Sequence, residues 1–183
     1  AFFGRGKAKF GLKNYEGAIT DFTDGIRLEP PEIYNFYIER GLSYKYLNNI
    51  ESSEKDFSIA IYYLNQLIEL IPKNELAIFK MGFARENIND YPAAIDDYTK
   101  LIKLNPENEI AWFRRGLVKE KDGQINESIN DYLEAIKINP NKNDYYEKNF
   151  LNVAKLKIKN KEYYEKVNKL QEKIYLKIGC NLF

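Results

Sequence analysis

Apolar residues along this chain recur at the i, i+3/i+4, i+7 spacing of a helix with one buried face. Between Glu75 and Asn87 they are Ile78, Met81, Phe83 and Ala84; from Pro92 to Leu104 they are Ala94, Ile95, Tyr98, Leu101 and Ile102. The polar Asn89-Asp90 between these stretches predicts a turn, with Asp90 as N-cap and Pro92 in the first turn of the second helix. Asn105-Pro106 predicts its end, because proline disfavours helix in the residue before it. The same punctuation recurs at Glu29-Pro30, Ile71-Pro72 and Asn139-Pro140. The pattern therefore predicts pairs of short antiparallel amphipathic helices.

The pairs repeat. Gly82 and Gly116 lie 34 residues apart, as do Tyr98 and Tyr132, Ile102 and Ile136, and Pro106 and Pro140. Two further copies align: Gly6, Ala18, Phe22, Ile26 and Pro30, then Gly41, Phe57, Ala60, Leu64 and Pro72. A mid-helix glycine costs about 1 kcal/mol against alanine. Its recurrence at Gly6, Gly41, Gly82 and Gly116 implies a facing side chain that approaches closer than a Cβ would allow, with Ala18, Ala60, Ala94 and Ser128 as small partners on the second helices.

This spacing resembles the tetratricopeptide repeat, best in the fourth copy with Trp112, Arg115-Gly116, Ser128, Tyr132, Ala135 and Pro140. The resemblance implies an all-α, right-handed superhelical α-solenoid of antiparallel helix pairs. Repeats are expected at about 1–31, 32–73, 74–107 and 108–141, with capping helices over 142–183 that cover the last apolar face. The second unit is longer than its neighbours. Phe57, Ala60, Leu64, Leu67 and Pro72 keep register backwards from the proline, and Ser53-Glu54-Lys55-Asp56 reads as a capping box. Seven extra residues are thus expected in the turn, within Asn48–Lys55. The alternative keeps Ser53 and Phe57 in register with Gly41 and lengthens the second helix.

Composition narrows the chemistry. Among 183 residues there is no His and one Cys. That excludes a Ser-His-Asp triad, a Cys-His dyad and a His/Cys zinc site, so neither a metal nor another cofactor is expected. The carboxylates Asp21/Asp24 and Asp96-Asp97 are expected to face solvent, with nothing beside them to tune a pKa. The chain is read as a binding module, not an enzyme. Net charge is +1, which argues against nucleic acid as a partner. It divides into a mildly acidic array (18 basic, 22 acidic side chains in 1–140) and a basic remainder (10 and 5 in 141–183). The chain begins at Ala1 inside a repeat, so it reads as a fragment, and a cytoplasmic location is expected.

Stacked repeats place their first helices on a concave surface. The positions facing away from each glycine are Phe3 and Lys7; Ile38, Glu39 and Leu42; Leu76, Phe79, Lys80 and Phe83; and Ile110, Phe113, Arg114 and Leu117. The expected site is an apolar groove of Ile38, Leu42, Phe79, Phe83, Phe113 and Leu117, with Lys80 and Arg114 beside it for a carboxylate. It suits a partner peptide or helix. The competing expectation is that these Phe and Leu side chains pack between adjacent first helices or against the chain's own capping helix. Many members of the family resembled bind acidic chaperone C-termini through a Lys, Asn and Arg clamp. Here Phe3 and Lys7, or Ile38 and Leu42, stand at its first places, Glu39 or Lys80 at the middle, and only Lys80 or Arg114 suits the last. Tight binding of such tails is not expected. Two alternatives stand beside the adaptor reading. The Cys180-Asn181-Leu182-Phe183 ending loosely fits a prenylation box below a run of lysines, which would attach the adaptor to a membrane. The chain could also be the non-catalytic repeat region of a larger enzyme or complex subunit. Neither the partner's identity nor the oligomeric state is legible.

Overall fold

The computed structural model describes residues 1–139. The chain falls into two compact units, Ala1–Asn105 and Pro106–Phe183. The first holds six helices: α1 (Phe2–Gly11), α2 (Tyr15–Ile26), α3 (Ile33–Tyr46), α4 (Ile50–Leu70), α5 (Glu75–Asn87) and α6 (Tyr91–Leu104). The described part of the second unit holds α7 (Glu109–Lys121) and α8 (Ile125–Ile138). The fold is all-α, built of helix pairs. The expected capping helices over 142–183, Cys180 and the basic tail lie outside the described residues. Among the described residues no helix is long and apolar enough to cross a membrane.

Among the described residues one turn geometry joins the two helices of each pair. Lys13, Asn48, Asn89 and Gly123 each follow a first helix in the left-handed region, at φ 61°, 58°, 61° and 84°. The next residue's N–H returns to a carbonyl five residues back, as Asn14 to Lys9, Asn49 to Tyr44, Asp90 to Arg85 and Gln124 to Lys119. This closes the first helix in a Schellman-type motif. That same next residue opens the second helix. Asn14, Asn49 and Asp90 accept backbone N–H bonds from Gly17, Ser52 and Ala93. Asp90 is thus the N-cap that its sequence context predicts.

The turn signal also settles the long second repeat. Asn48-Asn49 follows Gly41 at the spacing that Asn89-Asp90 keeps from Gly82, and Asn49 caps α4. The expectation of a seven-residue insertion in the turn is wrong. Residues 50–55 are the first turns of a 21-residue helix, and the extra length lies at its far end. Ser53 does not open the helix in a capping box: it is buried within it, and its Oγ donates to the Gly41 carbonyl at 2.9 Å. Ser53 therefore plays the small-residue part expected of Ala60. The error has a geometric cause. Seven residues are close to two turns of helix, so the apolar stripe returns with only about 20° of drift. Phe57 and Leu64 are both fully buried, and both alignments look in register.

The glycines do stand where side chains of the second helices come close. A Cβ at Gly6 would lie 2.5 Å from Phe22, at Gly82 3.0 Å from Tyr98 and at Gly116 2.7 Å from Tyr132. Gly41 is looser, at 3.3 Å from both Asp56 and Phe57. In the first unit one core gathers Tyr34, Ile38, Phe57, Leu64 and Met81; in the second, Phe113, Ile129, Tyr132, Ala135 and Ile136 form another.

Candidate functional site

Two of the carboxylates expected at the surface, Asp21 and Asp97, prove central to their helix pairs. Asp21, Asp56, Asp97 and Asp131 occupy one repeat position, fifteen residues after the glycine, and all are buried. Arg5, Arg40 and Arg115, each immediately before its glycine, grip three of them with two hydrogen bonds apiece. Arg5 reaches Asp21 at 2.9 and 2.7 Å, Arg40 reaches Asp56 at 2.8 and 2.8 Å, and Arg115 reaches Asp131 at 2.8 and 2.7 Å. In the third pair Met81 stands where the arginine should be. Arg85, one turn later, takes over and bonds Asp97 at 2.7 Å. That later position carries Lys9 and Lys119 in the first and fourth pairs, which reach Asp21 at 3.0 Å and Asp131 at 2.8 Å.

The electrostatics follow the partners. Hydrogen bonds from Arg5 hold Asp21 down at about 2. Burial pushes Asp56 and Asp97 above the usual carboxylate value, against the pull of Arg40 and Arg85. Each of these carboxylates is tied into the helix pair it joins. Asp24 and Asp96 do remain toward solvent, Asp24 beside Arg27 at 2.9 Å. The sequence contained the signal for the pairs, an Arg-Gly with Asp sixteen residues after the arginine, recurring three times.

The expected groove is altered in two ways. Ile38 and Phe113 are buried, 4% and 3% exposed, and belong to the cores. Ile38 sits in the cluster of Tyr34, Phe57, Leu64 and Met81, and the Phe113 ring lies 5.5 Å from Tyr132, so neither presents a surface. Phe79 and Phe83 are half-buried, with rings 5.9 Å from Tyr98 and 6.4 Å from Phe57. Leu42 and Leu117 are also half-buried against the cores of their units.

What α1, α3 and α5 present together in the first unit is a line of charge beside apolar edges. Lys7 Nζ lies 3.6 Å from Glu39 Oε1. Lys80, half-buried, has its amine pulled below the usual lysine value by burial, with Lys7 adding to the fall and Glu39 opposing it. Beside this line Leu76 is 56% exposed, and Phe3 packs edge-on against Phe36 at 4.8 Å. In the second unit α7 carries half-buried Arg114 and exposed Ile110. Among the described residues no group of three His, Cys, Asp or Glu side chains could hold a metal ion.

Helix pairs with a glycine–aromatic contact, a small residue opposite and a terminal proline define a helical repeat protein. Models of the tetratricopeptide repeat match residues 76–108 and 110–142. The chain thus carries tetratricopeptide repeats over these residues, and such repeats are in general non-catalytic scaffolds for protein–protein interaction. A crystal structure of MamA protein is similar at 22% identity with a TM-score of 0.62, covering 100% of this chain and 94% of that one. MamA from residue 41 to its end, from Desulfovibrio magneticus RS-1, is similar at 18% identity with a TM-score of 0.60, covering 93% and 92%. These likenesses concern the fold. No curated protein matches the chain.

Proposed function

We propose that this chain is an adaptor whose α1–α3–α5 face takes a partner segment carrying apolar side chains and a carboxylate. The observation that carries the reading is the juxtaposition of half-buried Lys80 with exposed Leu76 and the half-buried edges of Phe79 and Phe83. A partially desolvated ammonium gains more from an incoming carboxylate than one fully in water, and adjacent apolar area supplies the non-directional part of the affinity. Glu39, between Lys7 and Lys80, rejects a densely acidic segment, which agrees with the expectation that acidic chaperone tails bind poorly.

The test is selection of peptides from a random displayed library against the full chain, followed by titration of enriched sequences. Enriched peptides should combine apolar residues with one acidic group. Lys80→Glu and Leu76→Glu should each weaken them about tenfold or more, with thermal melting unchanged. Peptides that bind both variants as tightly as the parent would place their site elsewhere. Phe113→Glu is unsuitable as a probe, because that ring is core.

A further inference from the structure

The third helix pair differs from the others in two respects that meet at one place. Met81 replaces the arginine that grips the buried aspartate elsewhere, and the preceding helix α4 runs two turns longer than α2, α6 or α8. Between the far end of α4 and the α5–α6 pair lies a cavity of about 300 Å³. Its apolar lining comes from Ile68, Pro72, Ile78, Met81 and Leu104. Ile68 and Pro72 belong to the extended end of α4 and the residues after it, so the lengthening builds one wall. At the matching place in the second pair the Arg40 guanidinium bonds Asp56, whereas here Met81 lines the cavity.

The polar lining has an excess of positive charge. Arg85, Lys100 and Lys103 face one acid, Asp97. Arg85 uses a single nitrogen on Asp97, at 2.7 Å, whereas Arg40 and Arg115 use two each on their aspartates. Lys100 stands 3.6 Å from the other Asp97 oxygen. Lys103 has no ion pair or hydrogen bond among the described residues. Donors on Arg85 and the ammonium of Lys103 are therefore available to an incoming anion at the rim of an apolar pocket.

We propose that this cavity is a binding site for a small apolar group bearing one carboxylate, seated on Met81 and Ile78 with its charge toward Arg85 and Lys103. The volume stands at the low end of small-ligand sites, roughly 300–1,000 Å³, and fits a ligand of amino-acid size. Both a free carboxylic acid and an apolar residue at a peptide C-terminus present this chemistry. The site does not rest on the α1–α3–α5 face, and its test is separate from the one above.

Met81 is the only methionine in the sequence, so it is its own reporter. Full-length protein labelled with 13C at the methionine methyl, assigned against Met81→Leu, is titrated with 3-phenylpropionate, with its uncharged alcohol 3-phenyl-1-propanol, and with acetyl-Gly-Gly-Phe carrying a free carboxylate. The Met81 resonance should shift saturably with 3-phenylpropionate or with the peptide; the acid alone points to a free carboxylate, the peptide to a chain terminus. The alcohol should bind about tenfold more weakly, as should the acid to Lys103→Gln, the scale of one lost charge-assisted hydrogen bond. Met81→Arg, followed by calorimetry, should lose binding while the protein stays folded, because it rebuilds the arginine of the other pairs inside the cavity. No shift with either carboxylate, equal affinity for the alcohol, or unchanged affinity in Lys103→Gln would overturn the proposal.

Discussion

Replacing Arg40 with methionine imitates in the second helix pair what nature placed in the third. Arg40 is 16% exposed and Asp56 3%, and the two share bonds of 2.8 and 2.8 Å. Arg40 also donates to the Thr23 hydroxyl at 3.0 Å. Removing one partner of a buried pair costs about 3–5 kcal/mol, because the other charge stays desolvated and unpaired. Arg40 keeps some contact with water and methionine preserves much of its packing, so the lower figure of about 3 kcal/mol is expected. With a urea dependence of about 2 kcal/mol per molar, the midpoint followed by circular dichroism at 222 nm should fall by about 1.5 M. Tyr44 occupies the position that Arg85 holds in the third pair, with its ring 6.0 Å from the Arg40 guanidinium. Tyr44→Arg in the Arg40→Met background should therefore return at least half of the loss, about 0.75 M on the same scale. Burial already raises the Asp56 pKa, and losing Arg40 raises it further. The variant's native state then holds a proton up to higher pH than the parent's does. The gap between the two should widen as pH rises and narrow as it falls. A midpoint shift below about 0.25 M, or a double variant no better than the single one, would refute the assignment of these aspartates as ion-paired ties.

Other outcomes follow from the same geometry. Gly25→Ala should lower stability by about 1–3 kcal/mol, since its Cβ would meet the Phe36 ring at 2.1 Å, whereas Gly4→Ala, with nothing within 4 Å, should be neutral or stabilising by up to about 1 kcal/mol; thermal melting compares them. Lys13→Gly should add about 0.5 kcal/mol by relieving a left-handed lysine at the turn where the fourth pair has Gly123. Asp21, held at about 2 against a usual 3.8, contributes stability that is complete above pH 4 and is lost as pH falls through about 2. Asp21→Asn should flatten that acid limb in a pH-dependent melting series.

Much of the fold was legible because the repeat multiplies weak signals. One glycine or one helix-ending proline says little, but four of each in step specify helix pairs and their ends. The candidate surface was less legible. Phe113 and Lys80 occupy neighbouring places on first helices one repeat apart, yet Phe113 is core and Lys80 stands at the surface. Helical spacing defines an apolar side only to within about a third of the circumference, and where core passes into surface depends on how closely the neighbouring helix approaches. Asp97 teaches the same from the polar side. It resembles any exposed helix carboxylate until Arg85, twelve residues away, is seen to bury with it.

The helix pairs, the turn at Asn89-Asp90 and the role of the recurrent glycines were readable from residue order alone, because these depend on local backbone chemistry and on a period repeated along the chain. The apolar stripe alone did not reveal which end of the second repeat carries the extra turns, since seven residues restore the same helix face; the Asn48-Asn49 spacing from Gly41 and the α4 cap did. The burial of Asp21 and Asp97 and the cavity beside Met81 came only from the packing of helix on helix. Each depends on which side chains meet across helices, and distance in space is not written in spacing along one helix.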